Sequence, residues 1–186
     1  MAKAILGAMF AGLRGRLDNL VFRQRADQTV VAPRPKASSR ASTPAQVAAR
    51  ERFTRAAAYG RSVVADPALR ALYVPETGKQ GTSYLAAITD ALRAPVIDAL
   101  ETTGLRGAIG DPIVIRARDD HAVTAVRVVV KDAAGVVLEQ GPASAAEGAW
   151  RYVATRGVTA GSSVTVTATA TDRPGNATAF TRTVTV

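Results

Sequence analysis

Five side chains that could supply oxygen ligands lie in turns that the sequence predicts in the second half of the chain: Asp111, Asp119, Asp120, Asp172 and Asn176. Loops at one end of a β-sandwich can bring such side chains together, and their oxygens are ligands that Ca²⁺ prefers. Asp and Asn are also ordinary turn formers, because their side chains hydrogen-bond to the nearby backbone. We therefore expect turns without a metal, and keep a calcium site at these five residues as the less favoured alternative.

The chain offers little for nucleophilic or acid–base catalysis. Its one histidine, His121, follows Asp119 and Asp120 in a predicted turn, where a solvated polar residue is the simplest interpretation. The segment 78–83, Gly-Lys-Gln-Gly-Thr-Ser, lacks the residue order of a phosphate-binding loop and the hydrophobic strand that precedes one. Without cysteine, the chain forms neither disulfides nor thiolate metal sites. We expect neither enzymatic activity nor a cofactor.

Basic residues are concentrated in the first third of the chain. Residues 1–61 contain twelve basic residues against three acidic ones, and therefore carry the whole formal net charge of +9. Such asymmetry is typical of a chain that meets a polyanion or an acidic protein surface. The candidate contact residues are Arg14, Arg16, Arg23, Arg25, Arg34, Lys36, Arg40, Arg50, Arg52 and Arg55.

Three interpretations of these basic residues are open. Nucleic-acid binding would use the arginines to neutralise phosphates, but Phe10, Phe22, Phe53 and Tyr59 are too sparse for a platform on which bases stack. In assembly, an edge strand and bidentate arginines would contact a neighbouring subunit. In the third interpretation, the basic side chains are only solvated. We favour assembly, as a homo-oligomer or polymer or on a larger particle surface, with nucleic acid as the second choice of partner.

A β-hairpin is predicted over residues 19–33. Two runs rich in β-forming residues, 20–25 and 29–33, flank a short polar turn, and prolines end the second strand. Gly12 and Gly15, just before it, indicate tight turns or close backbone approach. An isolated hairpin is marginally stable in water, so it must lie against the rest of the protein or a partner. Residues 33–43 are basic and proline-rich, as in a strap that lies along a surface.

Three helices are predicted after the strap. Residues 43–46 combine an N-cap threonine, a proline at the first helical position and a glutamine that closes a capping box, so a helix begins there and covers 44–65. A similar cap and proline begin a second helix over 67–73. A third helix covers 83–93 and stops before a proline.

Membrane and secretion signals are weak. No apolar run approaches the ~20 residues that cross a bilayer as a helix, so we expect no transmembrane segment. The first thirteen residues resemble a signal peptide only faintly, because glycines and bulky residues interrupt the apolar run and no A-x-A cleavage signal precedes Arg14. We favour a cytoplasmic or particle-associated protein, with the extracellular surface as the alternative.

After residue 104 the composition changes from alanine-rich helix to valine- and threonine-rich strand. The predicted strands are 113–117, 123–130, 135–139, 150–155, 164–170 and 179–186. Turns that contain Asp, Gly, Pro and Asn separate them. This number and spacing predict an antiparallel β-sandwich over residues 105–186, and the fold class of the whole chain is α+β in two parts.

From Asp111 onward the sequence resembles bacterial immunoglobulin-like domains. The resemblance is carried by the segments 110–115, 117–123, 126–130 and 168–176, the last of which reads Ala-Thr-Ala-Thr-Asp-Arg-Pro-Gly-Asn. It implies an immunoglobulin-like sandwich, a fold that serves as a general spacer and binding module.

The first third is similar to an uncharacterised, partly prophage-associated family of small basic bacterial proteins. The matching residues are Gly12, Gly15, Arg16, Asn19 and Val21, then Pro44 and Gln46. The arginine and phenylalanine of the family pattern fall at Arg50 and Phe53, a departure in spacing. The family brings no established activity with it. The similarity implies a repeated assembly or attachment role.

These patterns together predict a non-enzymatic structural protein. Residues 1–104, with the hairpin, the strap and the helices, would attach the chain to copies of itself or to a larger particle or filament. Residues 105–186 would then be displayed as an immunoglobulin-like domain. The alternative is a nucleic-acid-binding protein that uses the arginine-rich N-terminal arm, and a strong dependence of binding on salt would distinguish it.

Overall fold

The computed structural model describes residues 4–5, 13–25, 28–35, 41–74 and 82–186. Several features singled out above lie outside these ranges: Gly12, Lys36, Arg40, most of the signal-like start of the chain, and residues 78–81 of the glycine-rich segment. The chain divides into two compact units, Met1–Pro44 and Ala45–Val186. The division expected from the sequence fell at residue 104, whereas the helices and the sandwich-like part share the second unit.

The first unit contains a four-stranded antiparallel sheet. Its strands are β1 Ala4–Ile5, β2 Gly15–Leu17, β3 Leu20–Arg25 and β4 Gln28–Pro33, in the order β1-β4-β3-β2. β3 and β4 pair at the position of the predicted hairpin, with Leu20 opposite Pro33. β2 turns back onto β3 through Asp18, whose φ of 50° is a left-handed conformation that Asp tolerates better than most residues.

Three helices begin the second unit: α1 Pro44–Ala65, α2 Pro67–Ala71 and α3 Ser83–Leu92. The carboxylate of Asp66 accepts hydrogen bonds from the first amides of α2, and the hydroxyl of Thr82 accepts one from α3. Both are side-chain N-caps, which satisfy amides that the helix itself leaves unpaired. Among the described residues, no helix is long and apolar enough to span a membrane.

Seven antiparallel strands complete the second unit. They are β5 Val96–Glu101, β6 Pro112–Arg118, β7 Val123–Asp132, β8 Val137–Ala146, β9 Ala149–Val153, β10 Ser163–Asp172 and β11 Ala177–Thr185. The hydrogen-bonded order is β11-β10-β7-β8-β9-β6-β5. β8 pairs with β7 through residues 137–143 and with β9 through residues 144–146, so it passes from one half of the sheet to the other.

The two halves of this sheet, β11-β10-β7-β8 and β8-β9-β6-β5, share one hydrophobic core. Alternate residues of β6, β7 and β10 point into it, as the two-residue repeat of a strand requires. Those at most 1% exposed are Ile113, Ile115, Val126, Val128, Val130, Val164, Val166, Ala168 and Ala170. The protein is therefore a mixed α+β protein, rich in strands and with a β-sandwich-like part, which confirms the prediction at this level.

β5 is a strand that the sequence did not indicate. Its buried side chains, Ile97 and Leu100, are three residues apart. The register with β6 shifts between Ile97 and Ala99. A bulge of this kind disrupts the two-residue alternation by which a strand is recognised in a sequence.

Candidate functional site

Three carboxylates meet at one end of the sandwich-like part. Asp90 belongs to α3, Asp119 follows β6 and Asp172 ends β10. One carboxylate oxygen from each residue lies within 4.8 Å of the others. β6 and β10 run in the same direction through the hydrogen-bonded order, so their last residues reach the same end. We call Asp90, Asp119 and Asp172 the carboxylate cluster, and this end the helix-side end.

Asp90 is the most deeply buried member of the cluster. It is 1% exposed, and its Oδ2 accepts a hydrogen bond from the hydroxyl of Tyr73. The hydroxyls of Tyr73 and Tyr59 are 2.9 Å apart, which extends the polar chain to α1. Asp90 Oδ1 is also buried and has no hydrogen-bond partner among the described residues. Such an atom is rare in native proteins and requires an explanation.

Close packing of α3 against α1 holds Asp90 in place. On α3, Ala87, Ile88 and Asp90 are buried. A Cβ atom at Gly60 of α1 would lie 3.0 Å from side-chain atoms of Ile88 and Tyr84, so a glycine lets the two helices approach. The small residue therefore fixes the depth at which the Asp90 carboxylate sits.

The turn 172–176 joins α3 to the sandwich-like part. Oδ1 of Asp172 accepts hydrogen bonds from the amides of Gly175 at 2.8 Å and Asn176 at 2.6 Å. The side-chain amide nitrogen of Asn176 lies 2.7 Å from Asp172 Oδ2, 3.2 Å from the carbonyl oxygen of Asp90 and 3.1 Å from that of Arg93. One asparagine thus connects the end of α3 to the end of β10.

Asp119 is half-buried, and its Oδ2 accepts hydrogen bonds from the amides of His121 and Ala122, each at 3.2 Å. The His121 ring lies edge-on to Tyr73, with ring centroids 4.9 Å apart. The guanidinium of Arg173 lies over the same tyrosine, 5.4 Å from its ring centroid. Tyr73 therefore contacts the cluster, through Asp90, as well as a histidine and an arginine.

The electrostatics of the cluster follow from burial. Loss of solvation raises the pKa of Asp90 to about 6; the hydrogen bond from Tyr73 opposes the increase, whereas the negative charge of Asp119 adds to it. Burial, followed by the hydrogen bond to Asp90, raises the pKa of Tyr73, so its hydroxyl remains a donor. A buried carboxylate in this setting requires a proton or a cation as its compensating charge.

The structure separates the five residues considered for calcium. Asp119 and Asp172 join the cluster, and Asn176 contributes its amide to the same turn. The neighbouring Asp120 turns to Arg93 instead, at 2.5 Å, in an exposed ion pair. Asp111 lies at the far end, because it precedes β6 and Asp119 follows it, and seven residues of strand span roughly 20 Å.

Asp111 lies at the end of the sandwich-like part opposite the helix-side end, which we call the far end, and it has a structural role there. Its Oδ2 accepts hydrogen bonds from the amides of Arg106 at 2.7 Å and Ala108 at 2.8 Å. These amides, in the same order, lower the pKa of Asp111. The carboxylate therefore fixes the loop before β6, a structural role that its turn position already suggested.

The sheet of the first unit has two unlike faces. Directly opposed residues of paired strands share a face, and successive residues alternate. Arg16 is opposite Val21, which shares its face of β3 with Arg23 and Arg25. We call Arg16, Arg23 and Arg25 the arginine face. The other face carries Leu17, Leu20, Phe22 and Val31, and we call it the apolar face.

The remaining predicted basic residues are distributed over both units. Arg14 and Arg34 flank the sheet of the first unit, and both are exposed. In the second unit Arg50, Arg52 and Arg55 are exposed on α1. Arg52 and Arg55 line a cleft with Asn176, and Arg52 Nη2 lies 3.5 Å from the carbonyl oxygen of Leu92.

Sequence reasoning did not identify Asp90 and Tyr73. Asp90 is the only charged residue in the segment Ser83–Leu92, which is otherwise apolar or weakly polar. Charged residues are almost never fully buried unless they are paired, so a lone aspartate in an apolar helix is a usable signal. Tyr73 follows α2 and belongs to no sequence motif that would have marked it as a site residue.

Comparisons with known proteins supply no function. No protein-family model matches the sequence, and no curated protein matches it. The chain is similar to an engineered protein whose crystal structure is known. The two sequences are 30% identical, the TM-score is 0.34, and the match covers 49% of this chain and 20% of that one. The chain thus spans about a fifth of that protein's length. A bromine derivative of BhCBM56 is 20% identical with a TM-score of 0.33, over 44% of this chain and 86% of that one. At these TM-scores neither similarity supports a statement about fold or function.

Proposed function

We propose that this protein is a non-enzymatic structural protein that associates with copies of itself through its basic first unit and displays an immunoglobulin-like domain. The observation that carries the proposal is how little apolar surface is buried among the described side chains of the four-stranded sheet. Of the side chains described in that unit, Phe22 and Thr29 are buried, whereas Leu17 is 64% and Leu20 41% exposed. A small sheet with so little buried apolar surface requires a further surface to pack against.

A second copy of the chain fits this requirement. The apolar face would bury Leu17 and Leu20 in a symmetric contact, since most soluble oligomers are homo-oligomers. β2 ends the hydrogen-bonded order of its sheet, so its outer edge is available for strand pairing among the described residues. The arginine face would then remain outward, where it can meet acidic groups of a neighbouring subunit or particle.

The displayed part is supported by the antiparallel strands and their shared core. The turn 172–176 is built on residues that carry the resemblance to bacterial immunoglobulin-like domains, and Asp172 holds it through hydrogen bonds from the amides of Gly175 and Asn176. The second unit has an extensive core, whereas few of the described side chains of the first unit are buried. This difference matches a division into display and attachment.

The experiment measures the oligomeric state of the full-length protein. Light scattering after gel filtration should give an oligomer, and electron microscopy should show particles or filaments. Leu17→Asp should shift the protein toward the monomer by at least tenfold in dissociation constant, because it places a charge in the contact. Ile109→Asp is the matched control: Ile109 is 72% exposed in the second unit, and its change should leave the oligomer intact.

A full-length protein that stays monomeric at high concentration and forms no particles would contradict the proposal. Equal dissociation of the Leu17→Asp and Ile109→Asp proteins would show that any added charge disperses the oligomer, and would contradict the assignment of the contact to the apolar face.

The arginine face favours a second candidate, nucleic-acid binding. Arg16, Arg23 and Arg25 project from one side of one sheet and could each neutralise a phosphate. Three such contacts predict that the logarithm of the DNA affinity falls with the logarithm of salt concentration with a slope of about −2.7. Arg23→Gln with Arg25→Gln should weaken this binding and make its salt dependence less steep. If the full chain does not bind duplex or single-stranded DNA at low salt, this candidate is wrong.

A further inference from the structure

Two independent observations at the carboxylate cluster point to a ligand. The first is the convergence of Asp90, Asp119 and Asp172, with one oxygen from each within 4.8 Å of the others. The second is Asp90 Oδ1, which belongs to a side chain 1% exposed and has no hydrogen-bond donor among the described residues. The Asp119 side chain lies within hydrogen-bonding reach of Asp90 but is itself a carboxylate, so a shared proton or a cation is needed to join the two. Because Oδ2 already accepts from Tyr73, Oδ1 is the oxygen of Asp90 whose lone pairs are unused.

Lysine and arginine side chains do not pair with the cluster. Among the described residues, no lysine or arginine forms an ion pair with any of the three carboxylates. Arg93 pairs with Asp120, and the guanidinium of Arg173 lies over the Tyr73 ring. His121 is the basic side chain whose charge acts on Asp90. Burying three carboxylates is strongly unfavourable, so the arrangement favours a further positive charge, which a bound cation would supply.

We propose that Asp90, Asp119 and Asp172 bind one divalent cation of the calcium class, and that this ion fastens α3 to the helix-side end of the sandwich-like part. Calcium lies 2.3–2.6 Å from its ligands, so two oxygens on the same ion are at most about 5 Å apart. The 4.8 Å limit within the cluster satisfies that condition. Carboxylate oxygens are the hard ligands that calcium prefers, and thiolate ligands are absent from a chain without cysteine.

Neighbouring elements hold two of the three carboxylates in position. Asp172 is held by the turn 172–176, and Asp119 by the amides of residues 121 and 122, so two of the three ligands are fixed before the ion arrives. Asp119 is half-buried and lines a surface cleft with Asp120, Arg93 and Arg118, so solvent reaches one side of the cluster. Three carboxylates completed by water predict a dissociation constant on the order of 10⁻⁴ to 10⁻³ M.

The test uses the full-length protein after treatment with a chelator. Calorimetric titration with calcium chloride should show one ion per chain, and 10 mM calcium should raise the unfolding temperature by about 5 °C. Terbium, a luminescent substitute for calcium, should emit when tyrosine is excited, because Tyr73 contacts a ligand residue. Added calcium should remove that emission by competition.

Variants assign the binding to the cluster. Asp90→Asn and Asp119→Asn should each weaken calcium binding at least tenfold, whereas Asp120→Asn and Asp111→Asn, which alter an exposed ion pair and the far end, should leave it unchanged. If Asp90→Asn fails to fold, Asp119→Asn decides the question. The proposal is overturned if calcium at 10 mM changes neither the heat nor the unfolding temperature, or if the Asp120→Asn protein loses as much affinity as the Asp119→Asn protein.

Discussion

The two ends of the sandwich-like part treat buried or partly buried carboxylates in opposite ways. At the far end, Glu139 is 8% exposed and its Oε2 accepts three hydrogen bonds: from the hydroxyl of Tyr152 at 3.1 Å, and from the amide and hydroxyl of Thr155, each at 2.7 Å. At the helix-side end, Asp90 is more deeply buried and accepts one. Burial is common to both, so the number of donors separates a structural carboxylate from a candidate ligand.

The comparison predicts that loss of the far-end carboxylate has the largest effect. Glu139→Ala would leave the hydroxyl of Tyr152 and the amide of Thr155 without their acceptor, and we expect a loss of about 3–5 kcal/mol in the free energy of unfolding, measured with urea. Glu139→Gln keeps an acceptor oxygen and should cost about 1–2 kcal/mol. Equal losses in the two variants would mean that packing volume, not hydrogen bonding, is what the residue supplies.

The cost of adding a side chain to a turn glycine should also differ between the two ends of the sandwich-like part. Gly107 at the far end has φ of 92°, and a Cβ there would lie 2.5 Å from the carbonyl oxygen of Val158, so Gly107→Ala should cost about 3 kcal/mol. Gly175 at the helix-side end has φ of 96° and open space around its Cβ position, so Gly175→Ala should cost about 1 kcal/mol. Thermal unfolding of both variants is the measurement. A larger loss for Gly175→Ala would show that the helix-side end is the more tightly built one.

Replacement of the Asp90 carboxylate should change the free energy of unfolding very little. Without added cation, Asp90→Asn removes a buried group whose Oδ1 has no partner, while the asparagine oxygen can still accept the hydrogen bond from Tyr73. We expect the free energy of unfolding in chelator to stay within about 1 kcal/mol of the parent protein, in contrast to the loss for Glu139→Ala. A loss as large as that of Glu139→Ala would mean that the Asp90 carboxylate is already satisfied by the protein.

The comparison also explains which parts of the site the sequence predicts. Local signals place helix α1 at Pro44–Ala65 and the turn built on Asp172 and Asn176, because these depend on residues a few positions apart. The grouping of Asp111 with Asp119 failed because it ignored the strand between them, which carries them to opposite ends. Asp90 joins the cluster through packing of α3 against distant elements, which no local pattern encodes.

The remaining features depend on which strands pair with each other, and that is not encoded within a single strand. The arginine face is visible in the sequence as alternation at residues 23 and 25, but the addition of Arg16 depends on the pairing of β2 with β3. β8 extends to Ala146 because it acquires a second partner, β9, after residue 143. A strand that changes partners has no single face to mark it in the sequence, so the predicted strand 135–139 falls short of the observed one.

The smallest expected effect concerns Asp111 and its dependence on pH. The amides of Arg106 and Ala108 lower the pKa of its carboxylate, and a carboxyl whose pKa is lower in the folded protein stabilises the fold above its unfolded pKa of about 3.9. That contribution is lost as the pH falls through the lower folded pKa, so the parent protein should lose more stability between pH 5 and pH 2 than Asp111→Asn does. Urea unfolding at several pH values measures the difference. Parallel pH profiles for the two proteins would show that the loop before β6 is held without help from the charge, and that the far end owes its order to Glu139 and the backbone alone.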